Sequence, residues 1–110
     1  MLEYKILQLN MNDEDASMIM FSGYDFIVKK YSKLEDLLKL YKEVYGGSIN
    51  DDAATKFTIL EELFRKFNID RPEDFKGHSL SVSDIVYFPA DEESWLCDSY
   101  GWKLLEKTLK

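Results

Sequence analysis

Apolar and polar positions alternate in short blocks along this chain of 110 residues, and the period of the blocks changes several times. Tyr4, Ile6, Leu7 and Leu9 predict a first strand over 4–9, and Asn10 to Asp15 form a polar turn. Ala16 to Phe21 (Ala-Ser-Met-Ile-Met-Phe) is a second apolar run, short enough to be a strand paired with the first in a hairpin. Ser22-Gly23 then punctuates the chain. Tyr24, Ile27, Val28 and Tyr31 recur at helical spacing and predict a short amphipathic helix.

Ser32 and Glu35 have the spacing of a capping box. Leu34, Leu37, Leu38, Tyr41, Val44 and Tyr45 follow at spacings of three and four. Taken alone, they predict one helix from Ser32 to Tyr45, stopped by Gly46-Gly47. In Tyr41 to Tyr45, however, tyrosine also alternates with other residues, as in a strand closed by the glycines. Both readings stay open.

Ser48 to Ala53 is a polar loop, and Thr55 to Asn68 is the clearest helix. Thr58 and Glu61 form its capping box, Leu60, Leu63, Phe64 and Phe67 its apolar stripe, and Asn68 its stop. Asp70 to Asp74 is a turn around Pro72. Ile85 to Phe88 is a strand, Pro89 to Ser94 a loop, and Trp95 to Asp98 the second strand of a hairpin. Gly101 breaks the pattern, and Trp102 to Leu109 closes the chain as a helix with Trp102, Leu105 and Leu109 on one face. The whole predicts a single α+β domain over 1–110, an antiparallel sheet packed by two or three helices.

Composition narrows the function classes. Hydrophobic residues are 45% and aromatics 15% of the chain, so it can bury a core without staples. The one cysteine, Cys97, has no partner for an internal disulfide and fits a reducing cytosol. Met1 to Lys5 lack a secretory pattern, and no apolar run reaches the roughly 20 residues of a membrane helix, so a soluble cytoplasmic protein is expected. The net charge of −7 argues against direct nucleic-acid binding. Acids cluster at Asp13-Glu14-Asp15, at Asn50-Asp51-Asp52 and at Asp91-Glu92-Glu93. Solvated loops account for such clusters; a negative surface for a basic partner is the sharper reading.

The richest polar segment is Phe75-Lys76-Gly77-His78-Ser79-Leu80-Ser81-Val82-Ser83-Asp84-Ile85-Val86, which holds the only histidine. His78, Asp84 and Ser79, Ser81 or Ser83 invite a hydrolase triad. That chemistry needs groups converging from different elements, and these lie within seven residues with no Gly-x-Ser-x-Gly elbow. A structural motif is the better expectation. Gly77, His78 and the serines shape a turn, Asp84 accepts backbone N–H groups before the strand, and Asp98, Ser99 and Gly101 do the same at the next strand end. No metal-ligand spacing and no phosphate-cradling glycine loop is present, so neither metal nor cofactor is expected. Trp95, Tyr100 and Trp102 near the last hairpin are core filling or partner anchors. With Asp91, Glu92 and Glu93 they are the candidate docking residues.

Ile59 to Val86, which contains this segment, resembles the YodL-like family. The resemblance continues at Cys97-Asp98-Ser99-Tyr100-Gly101-Trp102, like that family's Asp-Ser-x-Gly-aromatic step. Tyr41 to Tyr45 with its glycines is similar to its Tyr-x-x-Val-Tyr segment. The resemblance implies a strand at 41–45 and a setting in plasmids and conjugative elements of Gram-positive bacteria. It carries no catalytic assignment. The expectation is a small non-catalytic protein-binding module of a mobile element. Its partner would be a nucleic-acid-binding host defence nuclease that it inhibits, as an anti-restriction or anti-CRISPR protein. A small hydrolase or nuclease using His78, and an accessory conjugation protein, are the alternatives.

Overall fold

The computed structural model describes residues 1–52 and 54–110. Along the chain run β1 (Leu2–Leu9), α1 (Glu14–Ile19), α2 (Tyr24–Lys30), α3 (Leu34–Leu38), β2 (Tyr41–Ile49) and α4 (Lys56–Ile69). Then follow β3 (Ile85–Phe88), β4 (Glu93–Cys97), β5 (Trp102–Leu104) and a single 3-10 turn over Leu105–Lys107. The strands form one sheet in the order β2-β1-β3-β4-β5, and every pair is antiparallel. The fold is α+β.

Strand alternation sorts the core into two layers. Tyr4, Ile6, Val86, Phe88, Trp95 and Trp102 face α4, whose Ile59, Leu60, Leu63 and Phe67 are buried against them. Leu9, Ile85 and Leu96 point the other way, under Ala16, Ile19, Ile27 and Leu37 of the three short helices and Leu105 and Leu109 of the C-terminal segment. A β-bulge between Ile6 and Leu7 of β1 lets Tyr45 and Glu43 both pair, skipping Val44.

Three predicted elements are corrected. Ala16 to Phe21 is not a strand: Asp13 caps a helix there, its carboxylate accepting the N–H groups of Asp15 and Ala16 at 2.8 and 3.4 Å. Glu14 and Asp15 occupy the first turn, where acids favour the helix dipole. Only Ala16 and Ile19, three apart, are buried in this helix.

The helix from Ser32 to Tyr45 is likewise two elements. α3 ends at Leu38 and β2 starts at Tyr41, so the strand reading of Tyr41 to Tyr45 holds. Asn10 N–H donates to Leu40 C=O at 2.8 Å and brings the chain back alongside β1. The glycines stop no helix. They lie within β2, where a Cβ on Gly47 would stand 2.9 Å from Tyr4 Oη and 3.1 Å from the ring of Tyr45. Ser32 does not cap: Lys33 holds the N-cap position, and Leu34 N–H donates to Lys110 C=O instead. Trp102 to Leu109 is the third correction. Trp102 pairs with Cys97 as β5, and only one 3-10 turn follows.

Boundaries move elsewhere. α4 is capped by Thr55, not Thr58, and runs past Asn68 to Ile69, with Asn68 Nδ2 bonded to Phe64 C=O. β4 starts at Glu93, opposite Phe88, so the loop shortens to Pro89 to Glu92. Ser48 and Ile49 belong to β2, and Ala53 lies outside the described residues.

Candidate functional site

The His78 segment is held by a residue 70 positions away, Gln8 on the inward face of β1. Gln8 Nε2 donates to His78 C=O at 2.8 Å and to Asp84 Oδ2 at 3.1 Å, while Oε1 accepts His78 N–H at 3.1 Å. Asp84 Oδ2 also accepts Ser81 N–H at 2.9 Å. The amide of Gln8 thus reads the segment's backbone as a neighbouring strand would. Gln8 shares parity with Tyr4 and Ile6, and a polar residue at a core-facing strand position is the only signal that could have found it.

Asp84 is buried, and that burial pushes its pKa up to about 6 against the opposing pull of the Ser81 N–H bond, His78 and Gln8. His78 Nδ1 lies 3.8 Å from Asp84 Oδ2, too far for a hydrogen bond, and 2.7 Å from Ser79 C=O. A carbonyl only accepts, and Gln8 Nε2, 3.3 Å from Nδ1, already directs its hydrogens to His78 C=O and Asp84, so the contacts favour the tautomer with a hydrogen on Nδ1. No serine hydroxyl bonds His78 among the described residues.

Asp98 sits elsewhere. Its Oδ1 accepts the N–H groups of Tyr24 and Ser99 at 3.1 and 2.8 Å. It caps α2 in place of Gly23, where a Cβ would stand 2.5 Å from that oxygen. Gly101, with φ of 74°, closes this strand end through Asp98 N–H to Gly101 C=O at 2.9 Å. Cys97 is buried, and burial with the charges of Asp84, Asp98 and Glu61 pushes its thiol up to about 12, so it stays protonated at neutral pH.

Ser83 links the segment to a second feature. Its φ is 84°, its C=O accepts from Tyr41 Oη at 2.6 Å, and its Oγ accepts Phe21 N–H at 3.1 Å. Burial pushes the Tyr41 hydroxyl far up, so it remains a donor. Phe21 itself has φ of 62°, a left-handed conformation that costs a bulky residue about 1–2 kcal/mol. The strained backbone presents the ring to water. Met18, Met20, Phe21 and Phe26 are 62%, 42%, 61% and 52% exposed, within nine residues. Asp13, Glu14, Asp15 and Asp25 flank them in sequence. They are four of the large apolar side chains that the fold leaves exposed, gathered in one short stretch of sequence. Because glycine relieves the strain, Phe21→Gly is expected to leave melting temperature unchanged or raised, by up to about 5 °C for 1 kcal/mol in a domain of this size. Differential scanning calorimetry checks this; a fall of more than a few degrees would show that the ring packs in the fold.

The candidate docking residues divide. Trp95 is buried beneath Phe57, ring centroids 5.3 Å apart, and Trp102 is buried beside Phe64 at 6.5 Å, so neither is an exposed anchor. Asp91 and Glu93 both hold Lys56, the latter at 2.9 Å, and Trp95 Nε1–H donates to Glu93 at 3.2 Å. Burial lowers the Lys56 pKa, but the bonds from Asp91 and Glu93 outweigh it and the net shift is upward. Lys56 also lies 4.8 Å from the centre of the Phe88 ring. Only Glu92 and Tyr100, the latter 90% exposed, remain free of such partners among the described residues. Sequence reasoning missed Lys56 because it lies 35 residues from Asp91.

No group of three or more His, Cys, Asp or Glu side chains able to hold a metal occurs among the described residues. None of the described helices is long and apolar enough to cross a membrane.

The model of the YodL-like domain family matches residues 3–107. No curated protein and no solved structure matches the chain. The match takes in the corrected regions, the strand at Tyr41–Ile49 and β5 included, as well as the His78 segment. With 3–107 covered, nearly the whole length, the chain belongs to the YodL-like domain family.

Proposed function

We propose that this chain is a small acidic protein-binding module without catalytic chemistry of its own, acting in the cytoplasm by occupying the surface of a basic partner protein. The observation that carries the reading is the exposed α1–α2 corner. Met18, Met20, Phe21 and Phe26 stand out of the fold in a segment where Asp13, Glu14, Asp15 and Asp25 outnumber Lys29 and Lys30, and Ser83 holds Phe21 in a strained backbone. Phe21 stands at the C′ position that ends α1, where glycine would take the same φ at less cost, so an exposed phenylalanine there supports a role for its ring. Apolar anchors in an acidic setting suit a partner whose own surface is basic, since complementary charge speeds encounter and rejects other partners.

Nucleases that process DNA carry such surfaces, built of lysine and arginine for phosphates. The partner class proposed is therefore a host defence nuclease, either a restriction enzyme or an RNA-guided nuclease, met by the mobile element that encodes the module. Support for the non-catalytic reading comes from His78: its hydrogen bonds go to backbone groups and Gln8, Asp84 Oδ2 stands 3.8 Å from its Nδ1, beyond hydrogen-bond reach, no serine hydroxyl bonds it among the described residues, and Asp98 lies at another strand end.

Surface plasmon resonance of the chain against purified nucleases of both kinds tests this. Binding is expected to weaken from 50 to 500 mM salt. The triple variant Met18→Ser, Phe21→Ser, Phe26→Ser is expected to lose at least about 100-fold in affinity, two to three hot-spot contacts, while melting within a few degrees of the parent. His78→Ala is expected to bind as the parent does. Full affinity in the triple variant would sink the reading.

A further inference from the structure

On the sheet face opposite α4, between α3 and the β3–β4 hairpin, lies a groove of about 450 Å³, within the size range of ligand sites. Leu7, Leu34 and Leu38 give it an apolar floor, and Tyr87 lies along it. Glu43, Glu92 and Glu106 line it against one cation, Lys5, whose Nζ is 3.4 Å from Glu43. Ser94, fully buried, lines it too. Its Oγ is the one buried side-chain polar atom without a hydrogen-bond partner among the described residues. A buried hydroxyl left unpaired calls for explanation.

The other face of the same hairpin shows what fits. There Phe88 and its cross-strand partner Glu93, with Asp91, hold the Lys56 ammonium over the Phe88 ring. One residue along, Tyr87 is paired with Ser94, whose N–H donates to Glu106 Oε1 at 2.7 Å. Glu92, in the left-handed conformation at φ 52°, adds its carboxylate from the turn. Each face thus sets an aromatic ring of β3 among carboxylates. One is filled by the chain's own lysine; in the other, Lys5 meets Glu43 alone.

We propose that this groove receives a lysine or arginine side chain of the partner protein. The aliphatic stem lies on Leu7, Leu34 and Leu38, the cationic head meets Glu92 and Glu106 beside Tyr87, and Ser94 Oγ turns to accept from it. The long apolar stem and charged tip of these two residues match a groove with an apolar floor and an acidic rim. The inference rests on the reading of a basic partner, and adds the place where one of its cations docks.

Titration of the full chain with N-acetyl-lysine methylamide and N-acetyl-arginine methylamide, followed by ¹H–¹⁵N NMR, needs no partner. Saturable shifts at the amides of Leu7, Tyr87, Ser94 and Glu106 are expected, with a midpoint of about 1 mM, as befits a ligand this small. The neutral N-acetyl-norleucine methylamide is expected to leave them unmoved. Glu92→Gln with Glu106→Gln, which keeps an acceptor for Ser94 N–H, is expected to weaken the response about threefold to tenfold. Ser94→Ala is expected to melt higher than the parent when free, having lost an unpaired hydroxyl, and to bind the amides more weakly. Shifts scattered over the surface, an equal response to norleucine, or undiminished binding in either variant would overturn the groove. Nuclease binding that survives in the groove variants but not in the Met18, Phe21, Phe26 triple variant would overturn the groove and leave the binding-module reading standing. Specific groove shifts from a chain that binds no nuclease would do the reverse.

Discussion

Asp84→Asn is expected to stabilise the chain at pH 8, by up to about 3 kcal/mol, and to remove its stability change between pH 4 and 6. The folded-state pKa of Asp84 is raised from 3.8 to about 6, chiefly by burial. Each pKa unit is about 1.4 kcal/mol of preference for one protonation state. Because the shift is upward, the neutral form is the one the fold favours. Its contribution is complete below pH 3.8 and is lost as pH rises through about 6. Above that the chain carries a buried carboxylate whose Oδ2 takes both donors, Gln8 Nε2 and Ser81 N–H. An asparagine oxygen in that place accepts the same two bonds, and the amide stays neutral at every pH.

Urea unfolding across pH 4 to 8 measures the difference. Parent and variant should coincide near pH 4 and diverge by pH 7, the parent falling and the variant staying flat over this window. Asp84→Ala is the contrasting control. It leaves the Ser81 N–H and the buried Gln8 amide without their acceptor and is expected to cost about 2–4 kcal/mol at any pH. A variant with asparagine that is weaker than the parent at pH 8, or that keeps the parent's pH slope, would mean the charge is stabilised by the site.

The elements legible in the sequence are those whose evidence is local. α4 carries its own cap and stripe, Thr55 and Leu60-Leu63-Phe67, and β1 and β3 carry their own alternation. The misread elements are decided by residues outside the misread run. Nothing within Ala16 to Phe21 says helix. The decision lies with the Asp13 cap before it and with β1, whose edge is already taken by β2 and β3. Tyr41 to Tyr45 reads equally as helix and strand until β1 pairs with it. Trp102 has helical spacing to Leu105 and Leu109, yet Cys97 opposite makes it a strand residue. For Tyr41 to Tyr45 local periodicity was outweighed by a ladder with β1, remote in sequence, and for Trp102 by a hairpin with Cys97, five residues back.

The candidate site divides along the same line. Asp84 and Asp98 accepting backbone N–H groups beside them is short-range chemistry, readable from residue type and position. That Gln8 organises the segment, that Lys56 occupies Asp91 and Glu93, and that Ser83 holds Phe21 are contacts across 35 to 70 residues. Charge clusters and aromatic counts do not report them: an acidic run with a half-buried lysine against it reads the same as a solvated loop. Hence the proposed docking surface is the Met18–Phe26 corner and not the hairpin, where the tryptophans are buried.

Gly77→Ala is expected to cost about 3–5 kcal/mol, a large share of the 5–15 kcal/mol typical of a domain, and to lower the melting temperature by roughly 15–25 °C. The reason is contact, not backbone conformation. A Cβ at Gly77 would stand 2.2 Å from Gln8 Oε1, 3.0 Å from Gln8 Cδ and 3.0 Å from Phe75 Cζ. A flexible side chain could swing clear cheaply, but Gln8 is 1% exposed and tied by three hydrogen bonds within 3.1 Å to His78 and Asp84. Moving it breaks all three and strands polar groups in the core, at about 1 kcal/mol per neutral bond and more for the one to a carboxylate. Gly101→Ala is the comparison: φ is 74° but nothing lies within 4 Å, so only the left-handed strain of about 1 kcal/mol is expected. A double-mutant cycle with Gln8→Ala separates the cause. If the methyl acts by displacing Gln8, adding Gly77→Ala to a chain that already lacks the amide should cost little more. Equal cost in both backgrounds would place the damage at Phe75 and not at the Gln8–His78–Asp84 network.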